Sequence, residues 1–319
     1  MRKNRKLSIL FILDSLKKLV PAYDSSLFLL REMHRRGHAT WFARVEDLSM
    51  DRRGVYADSR ALNPDSRSGF IPGPLRHHPL RSFDIVLIRK EPPFDAAYLA
   101  MTYILDHAPS KIFISNSPSG IRNANEKISA FHFKSRIPGT LIASSPKTLA
   151  LHIRKSRGRF VVKPLDQKGG EGIFQIRHDD PRAAQLLKRT TRNGKQPVIL
   201  QEFLKPKIPG DKRIFLLDGR PLAVYLRKPR AGEFRSNLGQ GGSFHASRLS
   251  KADKSLIREL RPYLKKQGLH FVGLDVMDGR LLEINVTCPG GFPEAMQLYP
   301  KAKLLEKWAD FLEKQAFHR

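Results

Sequence analysis

Short apolar runs alternate with amphipathic stretches along the first third of the chain. Residues 7–14 (LSILFILD) have the length of a buried strand, and residues 24–37 (DSSLFLLREMHRRG) follow with a capping position at Asp24 or Ser25 and a glycine stop. This alternation predicts an open α/β layer whose strand ends offer loops to ligands. The same criteria predict further strands at residues 38–45, 83–90 and 111–115 and a helix at 95–107.

Residues 51–82 interrupt this pattern. They are rich in Arg, Pro, Ser and Gly, and their apolar positions follow neither the period of a strand nor that of a helix. The sequence therefore predicts a long surface connection between the second and third strands.

The second half of the chain predicts more strands than helices. A helix at 123–133 precedes a strand at 158–166, a glycine-rich loop and a strand at 171–176, and these two strands read as a β-ribbon. The pairs Asp218-Gly219 and Asp278-Gly279 predict tight hairpins. Further strands are predicted at residues 197–204, 211–226 and 269–286, and helices at 250–268 and 302–315.

The composition is typical of a soluble globular protein. Hydrophobic residues make up 40% of the 319 residues, and no apolar run approaches the roughly 20 residues of a membrane span. The N-terminal apolar run is short and lacks a small-residue cleavage site, so it reads as a strand and not as a signal peptide. One cysteine, Cys288, excludes an intramolecular disulfide, and the sequence predicts a cytoplasmic protein that does not enter a membrane.

The net charge of +28 is the most unusual global feature. The 58 Lys and Arg residues extend from Arg2 to Arg319, and the sequence contains no zinc finger, RNP-like aromatic motif or basic zipper. The favoured interpretation is a solvated basic surface that attracts nucleic acid at most non-specifically. Dedicated nucleic-acid binding is the alternative.

A glycine-rich loop follows a lysine in residues 163–174 (KPLDQKGGEGIF). Its spacing matches neither the P-loop nor the dinucleotide-binding turn. Phosphate binding needs cations and backbone N–H donors, which Lys127, Lys163 and a closing loop would supply. Most lysines are ordinary surface residues, and Lys163 is the stronger candidate because it ends an apolar strand.

Oxygen ligands for a metal occur in residues 273–285 (GLDVMDGRLLEIN). Glu283 and Asn285 are two apart on a predicted strand and therefore share a face, which suits Mg²⁺ with substrate phosphates. A two-residue Asp-Gly turn would place Asp275 and Glu283 on different faces of the sheet. A three-residue loop would instead pair Asp275 directly with Glu283, on the same face. The alternative is a polar pair on a solvated sheet face.

Arginines near a second glycine-rich stretch are candidates for binding anions. Guanidinium groups bind carboxylate or phosphate bidentately, and Arg213, Arg227, Arg235 and Asn237 lie in this region. The sequence shows no nucleophile–base constellation. Phosphoryl transfer, which needs positioning and charge neutralisation more than a covalent side chain, is compatible with that absence.

These motifs resemble those of ATP-grasp ligases and, more closely, of the prokaryotic glutathione synthetase family. The resemblance covers nearly the whole chain and implies an α/β protein of the ATP-grasp fold. It implies an N-terminal open α/β domain at 1–122, a small lid subdomain at 123–200 and a C-terminal α+β catalytic subdomain at 201–319. The motifs are DSSLFLLREMHRRGH, IRKEPPFD, NSPSGIRNANEK, VVKPLDQKGGEGIF, GDKRIFLLDG, GEFRSNL, GLHFVGLDV and LLEINVTCP.

The resemblance also assigns roles to individual positions. ATP phosphates would be held by Lys127 and Lys163 under a loop that contains Gly169, Gly170, Glu171 and Gly172. Adenine would be lined by Gln201, Glu202 and Phe203, and ribose by Asp211. Mg²⁺, or Mn²⁺ in its place, would be held by Asp275, Glu283 and Asn285. The dipeptide would contact Asp24, Ser25, Arg89, Lys90 and Arg227, with Arg213, Arg235 and Asn237 as catalytic anion-binding groups.

The implied reaction joins γ-glutamylcysteine to glycine at the expense of ATP. The dipeptide carboxylate attacks the γ-phosphate to give an acyl phosphate, and the amine of glycine then displaces phosphate. The partners implied are these small molecules and, as is expected for a homo-oligomer, further copies of the chain.

Two alternatives remain open at this stage. Residues 288–296 (CPGGFPEAM) depart from the family pattern, which motivates a ligase with a different acceptor amine or a peptide substrate. Arg227 lies in a segment shorter than its family counterpart. The charge of +28 motivates a nucleic-acid-associated, non-enzymatic descendant.

Overall fold

A computed structural model of the chain describes residues 5–65, 69–165, 171–236 and 238–318. Within these ranges the strands are β1 Ser8–Ile12, β2 Ala39–Ala43, β3 Leu48–Asp51, β4 Gly54–Asp65, β5 Gly69–Pro79, β6 Ile85–Ile88, β7 Phe113–Ser115, β8 Thr140–Ala143, β9 Arg159–Pro164, β10 Phe174–Arg177, β11 Val198–Glu202, β12 Asp211–Leu217, β13 Arg220–Lys228, β14 Ser243–Ala246, β15 Phe271–Met277 and β16 Arg280–Asn285. The α-helices are α1 Ser25–Arg35, α2 Ala96–Asp106, α3 Pro118–Asn123, α4 Pro146–Ser156, α5 Ala183–Thr190, α6 Lys251–Lys266, α7 Phe292–Leu298 and α8 Leu304–Phe317. In the described part of the chain, no helix combines the length and the apolar content that crossing a bilayer would require.

The first sheet contains the predicted alternation of strands and helices. Strands β2, β1, β6 and β7 are adjacent and parallel, as expected for apolar runs buried on both faces. Helix α1 begins at Asp24, whose carboxylate accepts from the backbone N–H of Ser26 and Leu27. The prediction of an open α/β layer is confirmed. Arg89 and Asn116, which directly follow β6 and β7, contact Phe271 of the third sheet.

The predicted surface connection at 51–82 is wrong. Strands β4 and β5 occupy this stretch and pair antiparallel along most of their length. On β4 the buried positions include Ala57 and Ser59, small residues that give no hydropathy signal although every second side chain faces inwards. Among the described residues β5 pairs with β4 alone, and it carries Pro72 and Pro74, which are tolerated at a sheet edge.

The second sheet has the order β10-β9-β11-β8 and is antiparallel throughout. Strands β9 and β10 form the predicted ribbon. The predicted helix at 123–133 is instead a 3₁₀ helix over Ser129–Arg136, interrupted by the non-helical backbone of Phe133. Helices α4 and α5 cover the sheet with a separate apolar cluster, so this layer packs around its own core.

The third sheet has the order β14-β13-β12-β15-β16. Its two tight hairpins are confirmed, since Asp218 and Gly219 have φ of 49° and 69°, and Asp278 and Gly279 have φ of 46° and 75°. Positive φ at both central residues is the signature of a type I′ turn. Helix α6 begins with a capping box between Ser250 and Asp253, and its apolar side belongs to a core shared with the first sheet.

Asn116 joins the first sheet to the third. Its Nδ2 donates to the carbonyl oxygens of Phe271 and Val286 at 2.9 and 2.7 Å. Its Oδ1 accepts from the backbone N–H of His270 and Phe271 at 2.7 and 2.8 Å. A buried amide side chain that uses both donors and accepts two bonds fixes the relative position of the two sheets.

Candidate active site

A cleft of about 580 Å³ lies between the second and third sheets. The second sheet contributes side chains of β9 and β11, and the third contributes side chains of β12, β13, β15 and β16. Most of the positions predicted from the sequence meet here. They are Lys127, Lys163, Glu171, Gln201, Glu202, Phe203, Asp211, Arg213, Arg227, Arg235, Asp275, Glu283 and Asn285.

A row of side chains crosses the third sheet on the face towards the cleft. Tyr225 pairs with Arg213, Arg213 with Asp275, and Asp275 with Glu283, so four neighbouring strands each contribute one residue. Directly paired residues point to the same side of a sheet. The third sheet therefore presents an alternating set of polar groups to the cleft.

The pairing of Asp275 with Glu283 results from a shift in the register of the hairpin, which is the condition for Asp275 to lie beside Glu283. The turn is the two-residue one, because Met277 pairs with Arg280. A register shift next to Asp275 then brings it opposite Glu283, and this β-bulge replaces the predicted three-residue loop.

Two arginines and two aspartates of the third sheet form a buried ionic cluster. Arg213 Nε donates to Asp275 Oδ1 at 2.7 Å, and Arg227 contacts both Asp211 and Asp275. Burial opposes ionisation of Asp275, but the Arg213 and Arg227 guanidinium groups hold its pKa below the ordinary value. Burial raises the pKa of Asp211 in spite of Arg227. Each buried charge is thus compensated by its neighbours.

This cluster bears on two of the predicted roles. Asp275, predicted as a metal ligand, contacts arginines, and Asp211, predicted at the ribose, contacts Arg227. Both residues line the cleft, so both assignments stay predictions. Arg235 also lines the cleft, where its Nη2 donates to Glu233 Oε2 at 2.7 Å.

Lys163 faces Glu283 across the cleft. Its Nζ donates to Gln201 Oε1 at 3.0 Å and lies 3.8 Å from Glu283 Oε1. Lys127 reaches the same space, with its Nζ 3.5 Å from the carbonyl oxygen of Leu165. Each lysine side chain is largely buried, so its charge acts in a medium of low polarity.

Glu283 and Asn285 have the donor atoms that Mg²⁺ prefers. They lie two apart on β16, and Asn285 donates through Nδ2 to the carbonyl oxygen of Gly273, which leaves its amide oxygen available. The described residues contain no group of three His, Cys, Asp or Glu suited to hold a metal. A site with few protein ligands is what Mg²⁺ uses when phosphates and water complete its shell.

Comparison with known proteins identifies the family of the chain. The model of the prokaryotic glutathione synthetase N-terminal domain matches residues 7–122, and that of the prokaryotic glutathione synthetase ATP-grasp domain matches residues 126–300. The chain belongs to the prokaryotic glutathione synthetase family. The resemblance inferred from the motifs is thereby confirmed, and with it the assignment to a family of ligases.

Curated glutathione synthetases are similar to the chain over nearly its full length. The glutathione synthetase of Gloeobacter violaceus is 37% identical over 296 residues, which cover 90% of this chain and 91% of that protein. That of Prochlorococcus marinus is 38% identical over 290 residues, covering 91% and 93%. That of Yersinia pestis is 35% identical over 311 residues, covering 95% and 96%.

Solved structures confirm the ATP-grasp fold. A D-cycloserine synthetase superimposes with a TM-score of 0.66 at 16% identity, covering 96% of this chain and 99% of that one. A RimK domain ATP-grasp protein from Sphaerobacter thermophilus gives 0.63 at 13% identity, covering 95% and 98%. At these identities the likeness concerns the fold alone.

The adenine positions predicted from the glutathione synthetase resemblance line the cleft. Gln201 is buried and donates through Nε2 to Thr140 Oγ1 at 3.1 Å, whereas the side chain of Glu202 is exposed. Phe203 carries the Arg159 guanidinium over its ring at 5.2 Å. The loop residues Glu171 and Gly172 follow β9, while Gly169, Gly170 and Asn237 lie outside the described residues.

Four of the five predicted dipeptide residues, Asp24, Ser25, Arg89 and Lys90, lie at the carboxyl edge of the first sheet, whereas the fifth, Arg227, lines the cleft. Arg89 Nε donates to Ser26 Oγ at 3.0 Å, and the guanidinium stacks 5.5 Å from Phe271 and from Trp308. Lys90 Nζ pairs with Asp14 Oδ1 at 3.0 Å. The structure brings these four predicted residues together but does not include them in the wall of the cleft.

Asp24 and Ser25 belong to the same group. The carboxylate of Asp24 caps α1, and the Ser25 hydroxyl oxygen is buried and makes no hydrogen bond. Both lie at the amino end of α1, close to the Ser26 hydroxyl that Arg89 contacts. Their predicted role in binding the dipeptide stays a prediction.

Glu126 was not among the residues identified from the sequence. This residue precedes Lys127 and hydrogen-bonds to the residues that directly follow β16. Its Oε1 accepts from the backbone N–H of Val286 and Thr287 at 3.0 and 3.1 Å and from Thr287 Oγ1 at 2.7 Å. Burial raises its pKa, and these bonds oppose the rise. Its position directly before Lys127 was the signal available in the sequence.

Cys288 lines the cleft as a protonated thiol. Burial raises its pKa to about 12, so the thiolate is not populated near neutral pH. The residue therefore acts as a small packing side chain.

Gly290 and Gly291, in the segment 288–296 that departs from the family pattern, have different environments. Gly291 has φ of +87°, and a Cβ there would lie 2.2 Å from the Tyr225 hydroxyl oxygen, whereas a Cβ on Gly290 would meet no heavy atom within 4 Å. We expect Gly291→Ala to lower the free energy of unfolding by about 1–2 kcal/mol from the left-handed backbone alone. It is also expected to reduce turnover, because Tyr225 must move.

Gly290→Ala is the matched control. Urea denaturation and steady-state kinetics of both variants test the prediction. Equal effects of the two substitutions would show that the contact with Tyr225 does not constrain this segment.

Proposed function

We propose that the chain catalyses ATP-dependent synthesis of glutathione from γ-glutamylcysteine and glycine, with release of ADP and phosphate. The observation that supports this most is the approach of Lys163 to Glu283 across the cleft, 3.8 Å from Nζ to Oε1, in a chain of the glutathione synthetase family. A cation on one sheet faces a metal-binding carboxylate on the other, which suits the transfer of a phosphoryl group between them.

In the first step the dipeptide carboxylate attacks the γ-phosphorus of ATP, the bond to ADP breaks, and an acyl phosphate forms. Lys127 and Lys163 neutralise charge on the transferring group. Mg²⁺, or Mn²⁺ in its place, would be held by Glu283 and Asn285 and would supply further charge neutralisation. Gln201 holds the Lys163 ammonium in place through the bond at 3.0 Å.

In the second step the amine of glycine attacks the acyl carbon, and phosphate leaves with the bonding electrons. Arg213 and Arg235, together with Asn237, bind the anionic groups of the substrates. Asp275 orients Arg213 and Arg227 through the buried cluster, in addition to its predicted place near the metal.

The proposal also covers the binding partners, the cellular compartment and the oligomeric state of the enzyme. The partners are small-molecule substrates, and nucleic acid binds at most non-specifically through the basic surface. We place the protein in the cytoplasm as a homo-oligomer; the single cysteine supports that compartment, because a disulfide framework is not needed.

The decisive experiment measures ADP release by purified protein with Mg-ATP, γ-glutamylcysteine and glycine, and identifies the product by mass. ADP formation that requires both substrates and yields glutathione is the expected result. Turnover with the dipeptide and another amine would favour the second candidate, a ligase with a different acceptor. The observation that favours this second candidate is that Gly290 and Gly291, which depart from the family pattern, lie in the wall of the cleft, with Gly291 next to Tyr225.

A further inference from the structure

Glu294 is a half-buried carboxylate in the wall of the cleft, and it lacks a cationic partner among the described residues. Its Oε2 is fully buried and makes no hydrogen bond. Within the described ranges no cationic side chain forms an ion pair with this carboxylate, whose one hydrogen bond comes from its own backbone N–H. Other buried carboxylates of the cleft are compensated, Asp211 and Asp275 by arginines and Glu126 by Thr287. Leaving one carboxylate uncompensated costs free energy that a bound cation would recover.

The surroundings of Glu294 are suited to an amino acid. A Cβ on Gly291 would lie 3.9 Å from Glu294 Oε2 and 2.2 Å from the Tyr225 hydroxyl oxygen, so these groups enclose one corner of the cleft. Burial raises the pKa of Glu294, and the positive charge of Arg213 acts against that rise. A carboxylate and a guanidinium close together match the ammonium and carboxylate of a zwitterion.

The corner lies at the opposite end of the third sheet's row of side chains from Glu283, the residue proposed to hold the metal. Glu294 adjoins Tyr225, and Tyr225 and Glu283 stand at opposite ends of the row that crosses the sheet. Three strand spacings separate their backbones, about 14 Å. The cation that Glu294 lacks is therefore not the metal bound with ATP. The remaining cations in the reaction are the ammonium groups of the amino-acid substrates.

We propose that Glu294 binds the ammonium group of the acceptor amine and, with Arg213, selects a small zwitterionic amino acid. This inference rests on the proposed function and deepens it. The dipeptide also carries an ammonium group, but the carboxylate predicted to contact the dipeptide, Asp24, lies at the edge of the first sheet. The predicted dipeptide residue in the third sheet, Arg227, is a cation and cannot bind an ammonium group. Glu294, which lies near Arg213 of the third sheet, is therefore assigned to the ammonium group of the acceptor.

The test separates the two steps of the reaction. Hydroxylamine, which is uncharged near neutral pH, traps an acyl phosphate as a hydroxamate with loss of phosphate, and it requires no carboxylate for binding. For Glu294→Gln we expect the KM for glycine to rise about 10–100-fold. The KM values for ATP and dipeptide, and the rate of hydroxamate formation without glycine, should stay within twofold of the wild type.

Glu294→Asp, which keeps the charge, should recover part of the affinity for glycine. Asp310→Asn, an exposed carboxylate on α8, is the matched control and should leave all parameters unchanged. An unchanged KM for glycine in Glu294→Gln would overturn the proposal. So would a parallel loss of hydroxamate formation and dipeptide affinity, because Glu294 would then serve the dipeptide.

Failure of the proposed function gives a different result. A wild-type protein that forms neither hydroxamate nor glutathione from the dipeptide would overturn the dipeptide reaction itself. If hydroxamate forms but glutathione does not, glycine is the wrong acceptor. The comparison of Glu294→Gln with the wild type is then made with the amine that supports turnover.

Discussion

Replacement of Lys163 by methionine is expected to lower kcat by about 10²–10³-fold, the loss that follows removal of one preorganised group from a charge-stabilising site. Lys163 is 9% exposed and lies 3.8 Å from Glu283 Oε1, so its charge is only weakly screened by solvent. Methionine keeps most of the volume and removes the charge. The measurement is steady-state ADP release, with hydroxamate formation as a direct reading of the first step.

Lys188→Met on the exposed side of α5 is the control for loss of a positive charge in the same layer, and wild-type kinetics are expected. A Lys163→Met enzyme with unchanged kcat and a raised KM for ATP would contradict the prediction. Lys163 would then bind ATP equally in the ground state and the transition state.

The largest effect on stability is expected at Asn116. Asn116→Leu preserves the volume but leaves two buried N–H groups and two buried carbonyl oxygens without their partner. Each orphaned group costs about 1–3 kcal/mol, so we expect the free energy of unfolding to fall by about 3 kcal/mol or more. Urea denaturation followed by fluorescence measures this loss.

Asn123→Leu, at the exposed end of α3, is the matched substitution and should change stability by less than about 0.5 kcal/mol. If Asn116→Leu were equally mild, the two sheets would be held together by their shared apolar core and not by the amide. Reduced turnover in a folded Asn116→Leu enzyme is also expected, since β15 and β16 carry Asp275 and Glu283.

The sequence predicted those parts of the fold whose signals are local. Apolar runs gave β1 and β6, and Asp-Gly pairs gave both hairpins of the third sheet. It missed the short elements α3, α5 and β8, whose few apolar residues become informative only when packed. It also missed the β4–β5 hairpin, because small buried residues conceal the alternation.

For the active site, the sequence identified many of the side chains that line the cleft but not the residues with which they pair. Glu283, Asn285 and Lys163 meet in the cleft as the motifs suggested. The pairing of Asp275 with arginines depends on a β-bulge, and the isolation of Glu294 depends on what surrounds it in space. Neither property is encoded in the spacing of residues along the chain.

The prolines of β5 have a consequence for how copies of the protein associate. An outermost strand normally offers a row of donors and acceptors on which another chain can build. Pro72 and Pro74 contribute no N–H, and the side chains of Ile71 and Leu75, which flank the two prolines, are 55% and 53% exposed. The first sheet is therefore protected from growing by strand addition along this stretch. Contacts between copies at this border would have to be made through side chains, and edge-to-edge aggregation here is disfavoured.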